Sequence, residues 1–122
     1  MKTSTQNLFD LSYLNQIFQG NTTMINSIIE LFLQQVPEYI GEMEDCIIIK
    51  NYQALHPLAH KAKSSVAMLG LKKMEKFILE IEYKSKHQIN IDQLPSLVTS
   101  LREQSDLVYG ELQSILINES AA

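Results

Sequence analysis

Near the end of the chain, Ile91, Leu94, Val98, Leu101, Ser105, Val108, Leu112 and Ile115 follow one another in steps of three and four, with Ser105 the one polar exception. That spacing lays a continuous apolar stripe along a helix of about seven turns, and a stripe so long has to be covered by other helices. The same steps recur upstream. Ile25, Ile29, Phe32, Val36, Ile40, Met43 and Ile47 predict a long second helix opened by Asn21 or Thr22. Pro37 is expected to bend it, because proline removes a backbone hydrogen bond. Leu55, Ala59, Ala62, Val66 and Leu69 stripe a third helix that ends at Gly70; Leu71, Met74, Phe77, Ile78 and Ile81 stripe a fourth, fading into the polar run Lys84–Gln88. Asp92 is placed to cap the fifth helix, and Asp10 to cap a short first one that carries Leu11, Leu14, Ile17 and Phe18 and stops at Gly20. No stretch shows sustained strand alternation. The reading is all-α: an antiparallel four-helix bundle with an additional short N-terminal helix lying over one end as a lid.

At 122 residues the chain fits one domain, with a polar tail over 1–9 and a bundle core over about 21–118. Its apolar runs are too interrupted to span a bilayer, and Met1–Phe9 has no apolar run of a secretory signal, so no membrane association and a cytoplasmic location are expected. The lone Cys46 has no partner for an internal disulfide and reads as packing. A net charge of −4 argues against nucleic acid. The distribution is more informative. From His60 to His87 there are seven lysines against three glutamates, a local surplus of four positive charges, while the rest of the chain is strongly acidic. Those lysines either line a solvated hairpin or present a basic face to an acidic partner.

The three histidines fall on different surfaces. His60 lies off the apolar stripe, on the face of Gln53, His56, Pro57, Lys63, Ser64 and Ala67, and is expected to be exposed. Ser64 and Ala67 keep the helix surface beside it low, which suits close approach by a folded partner. Because the helices flanking Gly70 form a hairpin centred near residue 71, positions 60 and 82 are level. Glu82 can then accept a hydrogen bond from Nδ1–H of His60 and leave Nε2 with its lone pair outward. Lys63, one turn along, can set its ammonium against the oxygens of an attached phosphoryl group. Alignment and charge compensation are what phosphoryl transfer chiefly needs. His56 and His60 also have the four-residue spacing of two metal ligands, but they lack the Glu of H-E-x-x-H and an evident third ligand, and no metal is expected. His87 is expected to meet the terminal carbonyls of the fourth helix.

Residues Leu58 to Leu71, LAHKAKSSVAMLGL, resemble the signature of the histidine-phosphotransfer (HPt) domain family, roughly A-H-x-L-K-G-S-S-x-x-L-G. Phe9–Leu14 and Ile29–Pro37 resemble the family's amino-terminal helices, so nearly the whole chain takes part. The resemblance implies that His60 is phosphorylated, that Lys63 compensates the phosphate, that Glu82 orients the imidazole, and that Lys86 stands where some members carry a second cation. Lys61, Ser64, Ala67 and Lys86 are the candidate partner-binding residues. Two positions depart from the pattern: Ser64 replaces the glycine after the lysine, and Ala62 replaces the usual leucine, which should loosen packing rather than change the chemistry. Pro57, in the turn before His60, is placed to tilt the imidazole.

The resemblance further implies a phosphoryl relay in a multistep His-Asp pathway, exchanging with the aspartate of a response-regulator receiver domain or a hybrid sensor histidine kinase. In such a pathway the chain is a cosubstrate without kinase activity, binds no cofactor itself, and meets Mg²⁺ only on the receiver. A monomer is expected, and Met1 with the tail Glu119–Ala122 suits a free-standing relay. Two competing readings are an HPt-like adaptor that sequesters a receiver without being phosphorylated, and a structural bundle that dimerises through Ile48 and Ile49.

Overall fold

The computed structural model describes residues 8–121, with side chains to residue 116; residues 1–7 of the expected polar tail and the expected core boundary at 118 lie outside what it describes in full. The helices are α1 (Ser12–Ile17), α2 (Thr22–Ile48), α3 (Leu55–Met68), α4 (Lys72–His87) and α5 (Leu94–Ala121), with no strand among the described residues. Helices α2 to α5 pack as a closed ring in which α2 neighbours α3 and α5, and α4 neighbours α3 and α5. Short connections make successive helices antiparallel.

Each end has a local cause. The side chain of Asn21 accepts the Met24 N–H at 3.1 Å and so caps α2. That helix then runs through Pro37 without interruption to Ile48. Lys50 takes a left-handed φ of 60°, and a 3₁₀ turn at Tyr52–Ala54 leads into α3. At the other end of α3 the Leu71 N–H reaches back to the Val66 carbonyl and the Gly70 N–H to that of Ala67, both at 3.1 Å. This double closure requires a left-handed residue between, and Gly70 supplies it at φ 64°. The chain reverses within a few residues, which sets the register of the α3–α4 hairpin.

The expected stripes are the observed core. Phe32, Ile40 and Met43 of α2, Ala59, Ala62 and Val66 of α3, Met74, Ile78 and Ile81 of α4, and Leu94, Leu101 and Leu112 of α5 are all without solvent exposure. Ile47, Phe77 and Ile115 pack against them half-buried, as does Cys46, where burial pushes the thiol pKa up. Ser85 and Gln104, absent from the expected stripes, are buried as well. The Ser85 hydroxyl donates to the Ile81 carbonyl at 2.6 Å, which lets a polar side chain occupy an inward position.

Four local expectations need correction. Asp92 does not cap α5: it lies inside a 3₁₀ turn, Ile91–Gln93, and the helix starts at Leu94 with Pro95 in its first turn, where a missing N–H costs little. Asp10 holds the start of α1 through the Ser12 N–H at 2.9 Å, two residues on, rather than as the residue next to the helix. The first helix carries Leu14 and Ile17 but not Leu11 and Phe18, which flank it, and of the four only Leu14 is fully buried. Finally, the His87 ring packs on Tyr83 with centroids 4.5 Å apart, while the Gln88 side chain takes the Ser85 carbonyl.

Across the bundle from the hairpin, Arg102 of α5 forms a two-pronged pair with Glu44 of α2, through Nε at 2.9 Å and Nη2 at 3.0 Å. The Glu44 hydrogen bonds raise the Arg102 pKa above its ordinary value against the opposing effect of burial. Both groups remain partly exposed, so a double-mutant cycle with alanine at Arg102 and Glu44 is expected to give a coupling of about 1 kcal/mol that weakens with added salt. A coupling near zero would make the pair a surface coincidence.

Candidate functional site

Because α3 and α4 run antiparallel from the Gly70 turn, residues of equal distance from that turn face each other, and His60 meets Glu82. Nδ1 of His60 lies 2.9 Å from Oε2 of Glu82. A carboxylate can only accept, so Nδ1 carries the proton and the neutral ring keeps its lone pair on Nε2. The imidazole is 65% exposed and the Glu82 side chain 14%. The nucleophilic edge therefore faces solvent while the group that orients it is held in the helix seam.

Glu82 has a second partner. Lys63 Nζ donates to Oε1 at 3.0 Å, so the two oxygens of one carboxylate are divided between His60 and Lys63. Burial pushes the Glu82 pKa up, but the hydrogen bonds from His60 and Lys63, with their charges, outweigh it and hold the carboxyl below its ordinary range. A carboxylate with a depressed pKa stabilises the fold in full above the unfolded-state value, and the contribution is lost as pH falls through the folded one. The stability gap between the wild type and Glu82→Gln is accordingly expected to be level above about pH 5 and to shrink progressively below about pH 4. Denaturant titrations of both proteins between pH 3 and 7 check this; a gap that widened on acidification would reverse the sign.

Around this triad the expected docking residues are present and accessible. Ser64 and Ala67 are exposed on α3, and Lys61 is exposed with its ammonium 5.9 Å from the centre of the Tyr39 ring. Ala62, by contrast, is fully buried, which assigns that departure from the family pattern to the core rather than the site. Lys86 lies on the opposite helix, in a groove of about 500 Å³ that His56, Lys63, Glu82 and Tyr83 also line. The place of His56 is not displayed by the sequence. His56, considered there only as a metal-ligand partner of His60, stands with Nε2 3.8 Å from the Glu82 oxygen that His60 uses. Its ring is nearly parallel to that of His60, at 6.2 Å between centroids. The four-residue spacing was visible; the convergence of both rings on one carboxylate needed the hairpin geometry.

The family model of the Hpt domain matches residues 27–108. The chain belongs to the Hpt domain family. The match takes in most of α2, all of α3 and α4 and the first half of α5, while the resemblance at Phe9–Leu14 lies outside it. No curated protein and no solved structure matches the chain. Hpt domains carry phosphoryl groups on a histidine in phosphorelays, exchange them with receiver domains, and are carriers rather than kinases. No helix among the described residues is long and apolar enough to cross a membrane.

Proposed function

We propose that this Hpt domain relays a phosphoryl group between His60 and the aspartate of a receiver domain, borne by a response regulator or a hybrid sensor histidine kinase. The observation that supports the reading most is the 2.9 Å contact between Nδ1 of His60 and Glu82 on an otherwise exposed ring. With the proton held at Nδ1, the Nε2 lone pair attacks the phosphorus of the receiver's aspartyl phosphate. A nitrogen–phosphorus bond forms, the phosphorus–oxygen bond to the aspartate breaks, and its electron pair leaves with the carboxylate. Nδ1 keeps its proton, so the phosphorylated ring carries positive charge, which Glu82 faces directly. Lys63 turns from Glu82 to the phosphoryl oxygens and offsets their charge. The reverse sequence returns the group to a receiver.

In this reading Lys61, Ser64, Ala67 and Lys86 border the surface that the receiver covers. The local excess of lysine between His60 and His87 steers an acidic partner pocket toward it. We assign the Mg²⁺ to the receiver and no metal or cofactor to this chain, and we take the protein to act as a cytoplasmic monomer of one domain. The experiment is transfer from a phosphorylated receiver domain with a radiolabelled phosphoryl group. Acid-labile, base-stable label mapping to His60 supports the relay. Stable binding to several receivers without label transfer would support the adaptor instead.

A further inference from the structure

We infer that His56 is a positioning residue for the phosphorylated state, taking over from Lys63 as the second donor to Glu82, on the oxygen that His60 also uses, once Lys63 has moved to the phosphoryl group. The inference rests on the proposed relay through His60 and deepens it.

The unphosphorylated site has a settled arrangement: Oε2 of Glu82 serves His60 and Oε1 serves Lys63. Phosphorylation disturbs one half of it. When the His60 Nε2–phosphorus bond forms and the receiver's aspartate departs with the electron pair of the broken bond, the incoming oxygens compete with Glu82 for the Lys63 ammonium. A carboxylate only 14% exposed then loses a charged donor while its own negative charge is still required opposite the phosphorylated ring. A replacement donor preserves that charge and the aim of the carboxylate.

The basic side chains with a nitrogen within 4.0 Å of the Glu82 oxygens among the described residues are His56, His60 and Lys63. Lys86, Tyr83 and His87 of α4 line the same groove, but none of them makes an ion pair with Glu82 there. His56 is therefore the nearest uncommitted donor. Its Nε2 lies 3.8 Å from Oε2, beyond hydrogen-bonding distance, so in the unphosphorylated protein it waits rather than binds. An ionised carboxyl has about four lone-pair sites, and the ring needs to advance by roughly 1 Å to reach one that His60 leaves free. His56 sits one turn before His60 on α3, with its ring 6.2 Å from that of His60 and within 24° of parallel to it.

A residue that acts only after transfer changes the equilibrium position more than docking or unphosphorylated stability. The test measures the transfer equilibrium between a phosphorylated receiver and this protein for wild type, His56→Phe and His56→Gln, with the label on His60 quantified in each. His56→Phe keeps a planar ring and removes the donor; it is expected to shift the equilibrium toward the receiver by roughly three- to tenfold. His56→Gln restores a donor and should recover most of the shift. On the wild type alone, the ¹⁵N resonance of His56 Nε2 should change to that of a hydrogen-bonded N–H on phosphorylation, a signature independent of any variant's folding. An unchanged equilibrium in His56→Phe, with the wild type labelled on His60, overturns the role of His56 and leaves the relay standing. An unlabelled wild type overturns the relay and this inference with it.

Discussion

Replacement of His60 by glutamine is expected to abolish phosphoryl acceptance while changing the stability of the bundle by less than about 0.5 kcal/mol. The imidazole is 65% exposed and contributes nothing to the buried cluster, so removing it opens no cavity. The glutamine amide can still donate to Glu82, and the surface formed by Ser64, Ala67 and Lys61 is untouched. What disappears is the Nε2 lone pair, for which an amide has no substitute as a nucleophile. The prediction therefore separates chemistry from docking. In the same assay a phosphorylated receiver labels the wild type and not the variant, whereas binding measured by calorimetry is retained by both. Retained label on His60→Gln would mean that another residue accepts the group; His56, already beside Glu82, is the first to inspect by mass spectrometry.

The fold was legible because helical periodicity is a backbone property that a single sequence displays directly. The stripes from Ile25 to Met43, from Leu55 to Leu69 and from Leu94 to Leu112 are buried as their spacing predicts. The His60–Glu82 pairing was legible too, since a helical hairpin with one tight turn has only one register. Details that depend on competition between neighbours were not. Asp92 offers a capping side chain, but Pro95 fixes where α5 can start, and the capping signal is overruled. His87 could meet free carbonyls, but Tyr83 one turn earlier offers it an aromatic face and Gln88 reaches the Ser85 carbonyl instead.

Two features of the site lie beyond the sequence: the approach of His56 to Glu82, and the sharing of that carboxylate between His60 and Lys63. The spacing pairs Glu82 with His60 and aims Lys63 at the phosphoryl group, as two independent roles. In the unphosphorylated protein they share one carboxylate, and the lysine is held on Glu82 at 3.0 Å rather than free in solution. Residue types and spacing cannot show this, because they do not record which of two possible partners a flexible cation prefers before the phosphoryl group arrives. The sharing has a physical consequence: Lys63 is already immobilised next to His60, so less side-chain entropy is lost when it turns to the phosphate.

The substitution Gly70→Ala is expected to cost about 3 kcal/mol and to lower the melting temperature by roughly 10 °C, the largest loss anticipated from any change outside the apolar core. Two effects combine. At φ 64° any residue with a Cβ is strained by about 1 kcal/mol. A Cβ on Gly70 would also lie 2.5 Å from the carbonyl oxygen and 2.8 Å from the nitrogen of Asp10, which are backbone atoms and cannot rotate away. The segment leading into α1 is strapped there by the Asp10 N–H on the Leu69 carbonyl at 3.0 Å, so it has to lift, loosening Leu8, Phe9 and Leu11 from the core. Gly20 provides the control: its φ is 74°, yet nothing lies within 4 Å of a Cβ built there, so Gly20→Ala should incur only the backbone strain. Paired thermal and denaturant unfolding of the two variants measures the difference, about 2 kcal/mol, that belongs to the strap. Equal losses would mean that Asp10 yields without cost and that α1 is a loose lid rather than a tethered one. Because His60 lies ten residues back along α3, about 15 Å from the turn, phosphoryl acceptance by folded Gly70→Ala should match the wild type.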